Sequence, residues 1–148
     1  MGNCHYTYLT SEAVTEGHPD KICDQISDAI VDAYLTQDPA SHVAVEAFVS
    51  GNVLTLAGEV SSSATVDVTA LARKVIADIG YTNPALGFTA DACLVFTNIH
   101  QQSNDIKQGV TQAEGDRIVG SGDQGIMYGY ATNETANYMP LTVNLAQG

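Results

Sequence analysis

Two stripes of side chains with the same spacing run through residues 20–34 and fix the conformation of that stretch. Apolar residues recur at Ile22, Ile26, Ile30 and Tyr34, and aspartates recur at Asp20, Asp24, Asp28 and Asp32. At about 100° per residue the two stripes lie on opposite faces of a helix. Pro19 stands in the first turn, where its missing N–H breaks no hydrogen bond. The sequence therefore predicts an amphipathic helix from Pro19 to the segment QDP, with the aspartate stripe in solvent.

The segments that follow alternate between the period of a strand and that of a helix. HVAVEAFVSGNVLTLAGEV contains two β-prone runs joined near Gly51, which predicts a hairpin. Helical spacing returns in TVDVTALARKVIADIG, which stops at Gly80, and ACLVFTNI at 92–99 is predicted to be a buried strand. This order predicts an α+β (α/β two-layer) fold, in which helices pack on one face of a mixed β-sheet.

The rest of the chain has a different character. HQQSNDIKQGVTQAEGDRIVGSGDQG is polar, rich in glycine and without a period, and a loop of that length is usually functional or marks a boundary. YTYLTS near the beginning and IMYGYAT after the loop are predicted to be strands. A further helix is predicted to begin at Pro140.

The charge and the cysteines exclude several classes of protein. Seventeen acidic and five basic residues give a formal net charge of -12, which is unsuited to binding nucleic acid or an anionic membrane. The same imbalance constrains any hypothesis of nucleotide binding, because the negative charge of a triphosphate would have to be neutralised by bound cations or by another chain. The three cysteines form no CxxC pair, which favours free thiols in a reducing, cytoplasmic setting. The N-terminal segment lacks the pattern of a signal peptide, and no apolar run approaches the roughly 20 residues that a membrane span needs. We therefore expect no membrane-spanning segment.

The segment EGHPDK at the start of the first helix has two interpretations. Pro19 and Asp20 suit an ordinary helix start, because proline presets φ and a carboxylate complements the helix dipole. That interpretation leaves His18 and Lys21 unexplained. In the other, the helix N-terminus binds phosphate, Asp20 holds Mg²⁺ and His18 donates a hydrogen bond to phosphate oxygen. Spacing alone leaves both open.

Acidic residues elsewhere are also ambiguous. Alternation puts Glu46 on the same side of its strand as Ala44 and Phe48, so that it faces either solvent or a cavity; Glu59 lies in a similar run, LAGEV. GSGDQG at 120–125 matches GxGxxG, but it lacks the preceding strand and following helix of a dinucleotide site. A flexible turn and a backbone approach to a ligand, with Asp123 at the tip, both remain open.

Taken in order, several segments resemble the methionine adenosyltransferases (S-adenosylmethionine synthetases). They are TSEAVTEGHPDKICDQISDAIVDAYLTQDP, VAVEAFV, GEVSSSATVDV, ADIGY, QQSNDIKQGV and GSGDQGIMYGYATNET. The resemblance implies a fold of repeated, similar domains. The first domain would occupy residues 1–113, with a mobile active-site loop at 102–112, and residues 114–148 would be the incomplete beginning of the central domain.

The resemblance also implies a reaction and a set of residues. Methionine sulfur attacks the 5′ carbon of ATP, triphosphate leaves, and water cleaves it to phosphate and diphosphate. The implied roles are catalysis by His18 and Asp20, ATP binding by His18, Lys21 and Asp123, methionine binding by Glu59 and Gln102, Mg²⁺ binding by Asp20 and K⁺ binding by Glu46. Members form a homodimer or a dimer of dimers with active sites between subunits, and no nucleic acid or membrane partner is implied.

Two features depart from the family pattern. Asn104 replaces a proline that usually follows Gln-Ser, and family members are much longer, with later segments that supply basic residues to the triphosphate. We therefore interpret the sequence as an N-terminal portion that carries half a site and is inactive alone. It is a fragment, a subunit of a split enzyme or a true short protein. The alternatives are a non-catalytic protein that caps a full-length partner, and a separate nucleotide-binding module.

Overall fold

The computed structural model describes residues 7–101 and 125–148, which divide into two compact units. Within residues 15–101 the elements are α1 (Pro19–Gln37), β1 (His42–Ser50), β2 (Val53–Ser61), α2 (Val68–Ile79), a single 3₁₀ turn (Pro84–Leu86) and β3 (Leu94–Gln101). The other unit, from residues 7–14 and 125–148, contains α3 (Leu141–Gln147). No helix in these ranges has the length and hydropathy needed to cross a membrane.

The sheet has three strands in the order β1-β2-β3 and is mixed. β1 and β2 form an antiparallel hairpin through Gly51, whose φ of 56° is the positive value that favours glycine. β2 and β3 are parallel, and α2 lies in the connection between them. Gly58 has φ 148°, and a Cβ on that backbone would point into β1 and lie 2.0 Å from the carbonyl oxygen of Ala44. The predicted α+β fold is confirmed.

Both long helices begin and end at residues with a clear capping role. The Asp67 side chain accepts a hydrogen bond from the Ala70 N–H at the start of α2, and Gly80 ends that helix in a left-handed conformation with φ 116°. α1 begins at Pro19, with His18 as its N-cap, and ends at Gln37, with Asp38 as its C-cap. The predicted bounds of α1 are therefore confirmed, as is the predicted stop at Gly80.

The core lies between one face of the sheet and the two helices. Its buried side chains are Ile22, Ile26, Ile30 and Tyr34 from α1, Val45, Leu54, Leu56 and Val60 from the sheet, Ala72 and Ile76 from α2, and Phe88, Ala90 and Cys93 from the segment before β3. The apolar stripe of α1 is thus wholly covered, while its aspartates are exposed. Burial of such side chains is the main favourable term in folding.

Three predictions about strands are corrected by the structure. ACLVFTNI does form a strand, but β3 is at the edge of the sheet and only one of its faces packs on the core; Leu94 and Phe96 are 56% and 58% exposed. The described part of YTYLTS, residues 7–11, and the segment IMYGYAT form no strand. A β-prone sequence becomes a strand only where another strand supplies hydrogen bonds, and propensity does not specify that partner.

The second unit is small, and polar side chains organise it. A Glu134 carboxylate oxygen accepts a hydrogen bond from the Leu141 N–H at 2.9 Å, at the first turn of α3, directly after Pro140. The Ser11 hydroxyl donates to the Thr142 hydroxyl at 2.9 Å, which joins the two segments of this unit. The helix predicted from Pro140 is confirmed.

Asp38, at the end of α1, ties the helix to the segment that leaves β2. One of its carboxylate oxygens accepts hydrogen bonds from the Ser63 N–H at 2.8 Å and the Ser63 hydroxyl at 2.9 Å, and the other accepts from the Ala40 N–H at 3.0 Å. These bonds, those from Ser63 first, lower the pKa of Asp38 to about 2. The ionised carboxylate is therefore a structural connection between two elements.

We expect Asp38→Asn to destabilise the fold at neutral pH and to flatten its acid dependence. Because the folded pKa lies below the unfolded value of 3.8, the carboxylate stabilises the fold above about pH 4, and this contribution disappears as pH falls towards 2. Thermal unfolding between pH 6 and pH 2 measures the effect. Asp32→Asn, on the solvent-facing stripe of α1, is the matched control, and equal behaviour of the two variants would contradict the assignment.

Candidate functional site

The segment before α1 is a tight turn that presents His18. The His18 N–H donates to the Thr15 carbonyl at 3.1 Å, and Gly17, the third residue of this turn, has φ 89°. A positive φ at that position is the requirement of a type II turn, and it explains the glycine of EGHPDK. Pro19 then begins the helix with its fixed φ. The sequence thus builds a rigid helix start around His18.

His18 itself caps the helix. Its Nδ1 accepts a hydrogen bond from the Asp20 N–H at 3.2 Å, so in this geometry Nδ1 carries no proton and Nε2 carries one. A helix-start role for His18 is not expected from the sequence, because histidine is not among the usual capping residues. The structure corrects this point, and it leaves the Nε2–H free to donate to a ligand, because the side chain is 43% exposed.

The other two polar residues of the motif flank the same helix end. The Asp20 side chain is 81% exposed, and Lys21 Nζ lies 3.6 Å from the Asp24 carboxylate. A helix N-terminus favours anions, and a single accessible carboxylate beside it can complete a Mg²⁺ site with phosphate oxygens and water. The donor set therefore fits a metal held jointly with a phosphorylated ligand.

Glu46 and Glu59 lie on the face of the sheet opposite the helices, which we call the bare face. Each row across this face takes one residue from each strand. The rows from the hairpin turn are Ser50, Val53 and Leu94; Phe48, Thr55 and Phe96; Glu46, Ala57 and Asn98; and Ala44, Glu59 and His100. The bare face thus has an apolar end near the turn and a polar end beyond it.

The two carboxylates are neighbours at the polar end. Glu46 and Glu59 are diagonal partners on adjacent antiparallel strands, a relation that places their Cα atoms about 7 Å apart. Glu46 is exposed on the side of Ala44 and Phe48, as alternation predicts, and Glu59 is partly buried. Two carboxylates at this spacing suit a cationic ligand rather than an anionic one.

Sequence reasoning missed the neighbours of these carboxylates. His100 stands beside Glu59 in the same row, Asn98 stands in the row of Glu46, and His42 lies one row further on. The period-2 pattern of β3 could have shown that Asn98 and His100 share a face. Only the pairing register shows that this is also the face of Glu46 and Glu59.

The helix start around His18 and the carboxylates of the bare face are far apart within one chain. Gly17 and Pro19 line a groove of about 380 Å³ with Val49 and Gly51, so the helix start lies at the hairpin end of the sheet, on the helix side. Glu59 is on the bare face, in the row of Ala44, and six residues of strand, about 20 Å, separate that row from Ser50. One chain therefore presents two separate partial sites.

Residues 7–101 and 125–148 add no further metal cluster to the candidate site, and the basic side chains of Arg73 and Lys74 already have partners. Arg73 donates to the carbonyl oxygens of Asp91 and Cys93 at 3.2 and 3.0 Å, and Lys74 pairs with Asp78 at 2.5 Å. Those ranges contain no group of three His, Cys, Asp or Glu side chains that could hold a metal ion. Gln102, Asp123 and the predicted loop at 102–112 lie outside the described residues.

The fold and these groups define an α+β protein whose helix start suits an anionic ligand and whose sheet face suits a cationic one. Residues 6–104 match the family profile described as S-adenosylmethionine synthetase, N-terminal domain, and residues 118–148 match the profile described as the central domain. The chain belongs to the S-adenosylmethionine synthetase family.

Individual relatives agree with the profiles. The chain is 57% identical over 138 residues to S-adenosylmethionine synthase 1 of Rhodopseudomonas palustris (strain BisB18), an alignment that covers 93% of this chain and 35% of that protein. It is 54% identical over 140 residues to S-adenosylmethionine synthase 1 of Rhodospirillum rubrum, covering 95% of this chain and 36% of that protein. The chain thus spans about a third of the length of these relatives.

Proposed function

We propose that this chain contributes the N-terminal part of a methionine adenosyltransferase site. A lone pair on methionine sulfur forms the bond to the 5′ carbon of ATP, the bond from that carbon to the triphosphate oxygen breaks, and triphosphate leaves. Water then cleaves triphosphate to phosphate and diphosphate. The observation that carries the proposal is the helix start in a chain of this family, where Nδ1 of His18 caps α1 and the Nε2–H is available to a phosphate oxygen.

In this proposal the helix start holds the triphosphate. The Nε2–H of His18 donates to an oxygen near the breaking bond, where negative charge develops, and Lys21 adds positive charge to the chain of phosphates. Asp20 would hold Mg²⁺, whose chemistry is to neutralise the leaving triphosphate. Asp123, outside the described residues, would contact the nucleotide.

The polar end of the bare face holds methionine. The Glu59 carboxylate accepts hydrogen bonds from the methionine ammonium, with Gln102 as a second contact, and Glu46 would ligate K⁺. Such charge-assisted bonds fix the orientation of a small substrate, and orientation of sulfur towards carbon is a major part of the catalysis of a displacement. The diagonal placement of Glu46 and Glu59 supports this division of roles, because one carboxylate can bind each cation.

We also propose that a second copy completes the site. Helix start and Glu59 lie on opposite sides of the sheet and about 20 Å apart along the strands, so within residues 7–101 of one chain the two partial sites stay separate. Pairing through the bare face, whose apolar end exposes Phe48, Leu94 and Phe96, would cover that surface and bring partial sites together. We also assign residues 1–113 to a first domain and residues 114–148 to the beginning of a central domain.

Formation of S-adenosylmethionine from ATP, methionine, Mg²⁺ and K⁺ tests the proposal. The assay is run with the chain alone and with the chain mixed with the C-terminal two thirds of a relative. Activity in either case supports the proposal, and activity of the chain alone shows that the basic residues from the rest of a relative are not needed. A folded mixture that stays inactive, and a chain that stoichiometrically inhibits a full-length relative, would instead support a non-catalytic capping protein.

Glu59→Gln is expected to weaken methionine binding about 10- to 100-fold, because the substituted side chain keeps its size and loses the charge that pairs with the ammonium. The KM for methionine in the active mixture measures the effect, and the KM for ATP should change little. Glu46→Gln is the matched control, with an expected change in the K⁺ requirement instead. Equal methionine KM values for Glu59→Gln and the unsubstituted chain would contradict the role of Glu59.

A further inference from the structure

Tyr81 reaches across 64 residues of sequence to the residue that precedes His18. Its hydroxyl donates to the Gly17 carbonyl at 2.7 Å, and its ring packs against Gly17, where a Cβ would lie 3.5 Å from the hydroxyl oxygen. The carbonyl of Gly17 and the N–H of His18 belong to one planar peptide group. Since that N–H already donates to the Thr15 carbonyl at 3.1 Å, both polar atoms of the peptide group are held.

Tyr81 is itself fixed at several points. Its N–H donates to the Ile76 carbonyl at 3.2 Å, where α2 ends, and its carbonyl accepts from the Ala90 N–H at 2.9 Å. Its ring meets the buried ring of Phe88 edge to face, with centroids 5.3 Å apart at 76°. These contacts fix the position of the Tyr81 side chain, which therefore connects the end of α2 to the start of α1.

This arrangement has a consequence for His18. Orientation of the Gly17–His18 peptide group sets the backbone angles on both sides of it, and these direct the imidazole towards the Asp20 N–H. The Nδ1 hydrogen bond at 3.2 Å is long, so it depends on the backbone that aims it. A backbone that moved would turn Nε2 away from its ligand while leaving the helix in place.

We propose that Tyr81 is a positioning residue, which holds the His18 imidazole for a nucleotide polyphosphate through the Gly17–His18 peptide group. The proposal rests on the proposed function in one respect, the nature of the ligand of His18. The hydrogen bond from the Tyr81 hydroxyl to the Gly17 carbonyl, which we call the clamp, does not depend on any ligand and can be tested without one.

The first experiment measures amide hydrogen exchange by NMR in Tyr81→Phe, which removes only the hydroxyl. Exchange at Asp20, whose N–H is held by His18, is expected to rise at least about fivefold, while exchange at Ile30 in the middle of α1 changes less. Tyr34→Phe, a buried tyrosine at the other end of α1, is the matched control and should leave Asp20 unchanged. No selective change at Asp20 in Tyr81→Phe would overturn the proposal.

The second experiment is a double-mutant cycle on the dissociation constant for ATP with Mg²⁺. Tyr81→Phe is expected to weaken binding about fivefold in the unsubstituted chain and not at all in a His18→Ala background, because Tyr81 acts only through His18. Equal weakening in both backgrounds would show a general structural role and would overturn the proposal. If neither the unsubstituted chain nor its mixture with the C-terminal two thirds of a relative binds ATP, the proposed function fails, and the exchange experiment alone decides whether Tyr81 holds the Gly17–His18 peptide group.

Discussion

Replacing Gly58 with alanine is expected to lower the free energy of unfolding by about 3 kcal/mol or more, the upper range for a single overpacked site. The new Cβ would lie 2.0 Å from the Ala44 carbonyl oxygen and 2.9 Å from Val45 Cα, and both are backbone atoms that cannot turn aside. The backbone at Gly58 also has φ 148°, which residues with a Cβ rarely adopt. Strands β1 and β2 must separate, and the hydrogen bonds of the hairpin are lost with them.

Urea unfolding followed by circular dichroism measures this loss, and Gly51→Ala is the matched control. Gly51 also has a positive φ, 56°, but nothing lies within 4 Å of a Cβ there, so its substitution should cost only about 1 kcal/mol of backbone strain. Similar losses at Gly58 and Gly51 would show that the close approach at Gly58 is relaxed in solution. Since Gly58 adjoins Glu59, the same variant should also displace a proposed methionine contact.

The hairpin and α1 could be predicted because their signals are local. The four-residue repeat of Ile22, Ile26 and Ile30 specifies both a helix and its buried face, and alternation in β1 specifies which way Glu46 points. The error on β3 has the opposite origin. A short apolar run looks the same whether one or both of its faces are covered, and only the number of strands in the sheet decides between them.

The candidate site was predictable in its residue types and not in its geometry. The carboxylates at Glu46 and Glu59 are visible in the sequence, but their diagonal relation and the neighbouring His100 depend on register between strands. The clamp by Tyr81 depends on a contact over 64 residues, which no local pattern carries. Capping by His18 was missed because it needs the turn at Gly17 to aim an unusual capping side chain.

Two substitutions at His18 should separate its structural role from its proposed chemical role. His18→Ala removes the cap and should lower the free energy of unfolding by about 1 kcal/mol, whereas His18→Asn replaces the cap with one of the best N-capping side chains and should keep or raise it. Neither variant has an imidazole Nε2–H at the proposed triphosphate position. In the active mixture both should therefore lose about 10²- to 10³-fold in kcat, the usual cost of removing one donor to developing negative charge.

The comparison is informative because the two readouts come from different nitrogen atoms of one ring. Nδ1 accepts from the Asp20 N–H at 3.2 Å, whereas the proposed phosphate contact is made by Nε2. The free energy of unfolding in urea measures the capping role of Nδ1, and kcat measures the proposed role of Nε2. Activity close to that of the unsubstituted chain in His18→Asn would mean that His18 only starts the helix, and the triphosphate would then have to be held by other groups. A folded, capped and inactive His18→Asn would leave the proposed phosphate contact as the reason why histidine stands at this helix start.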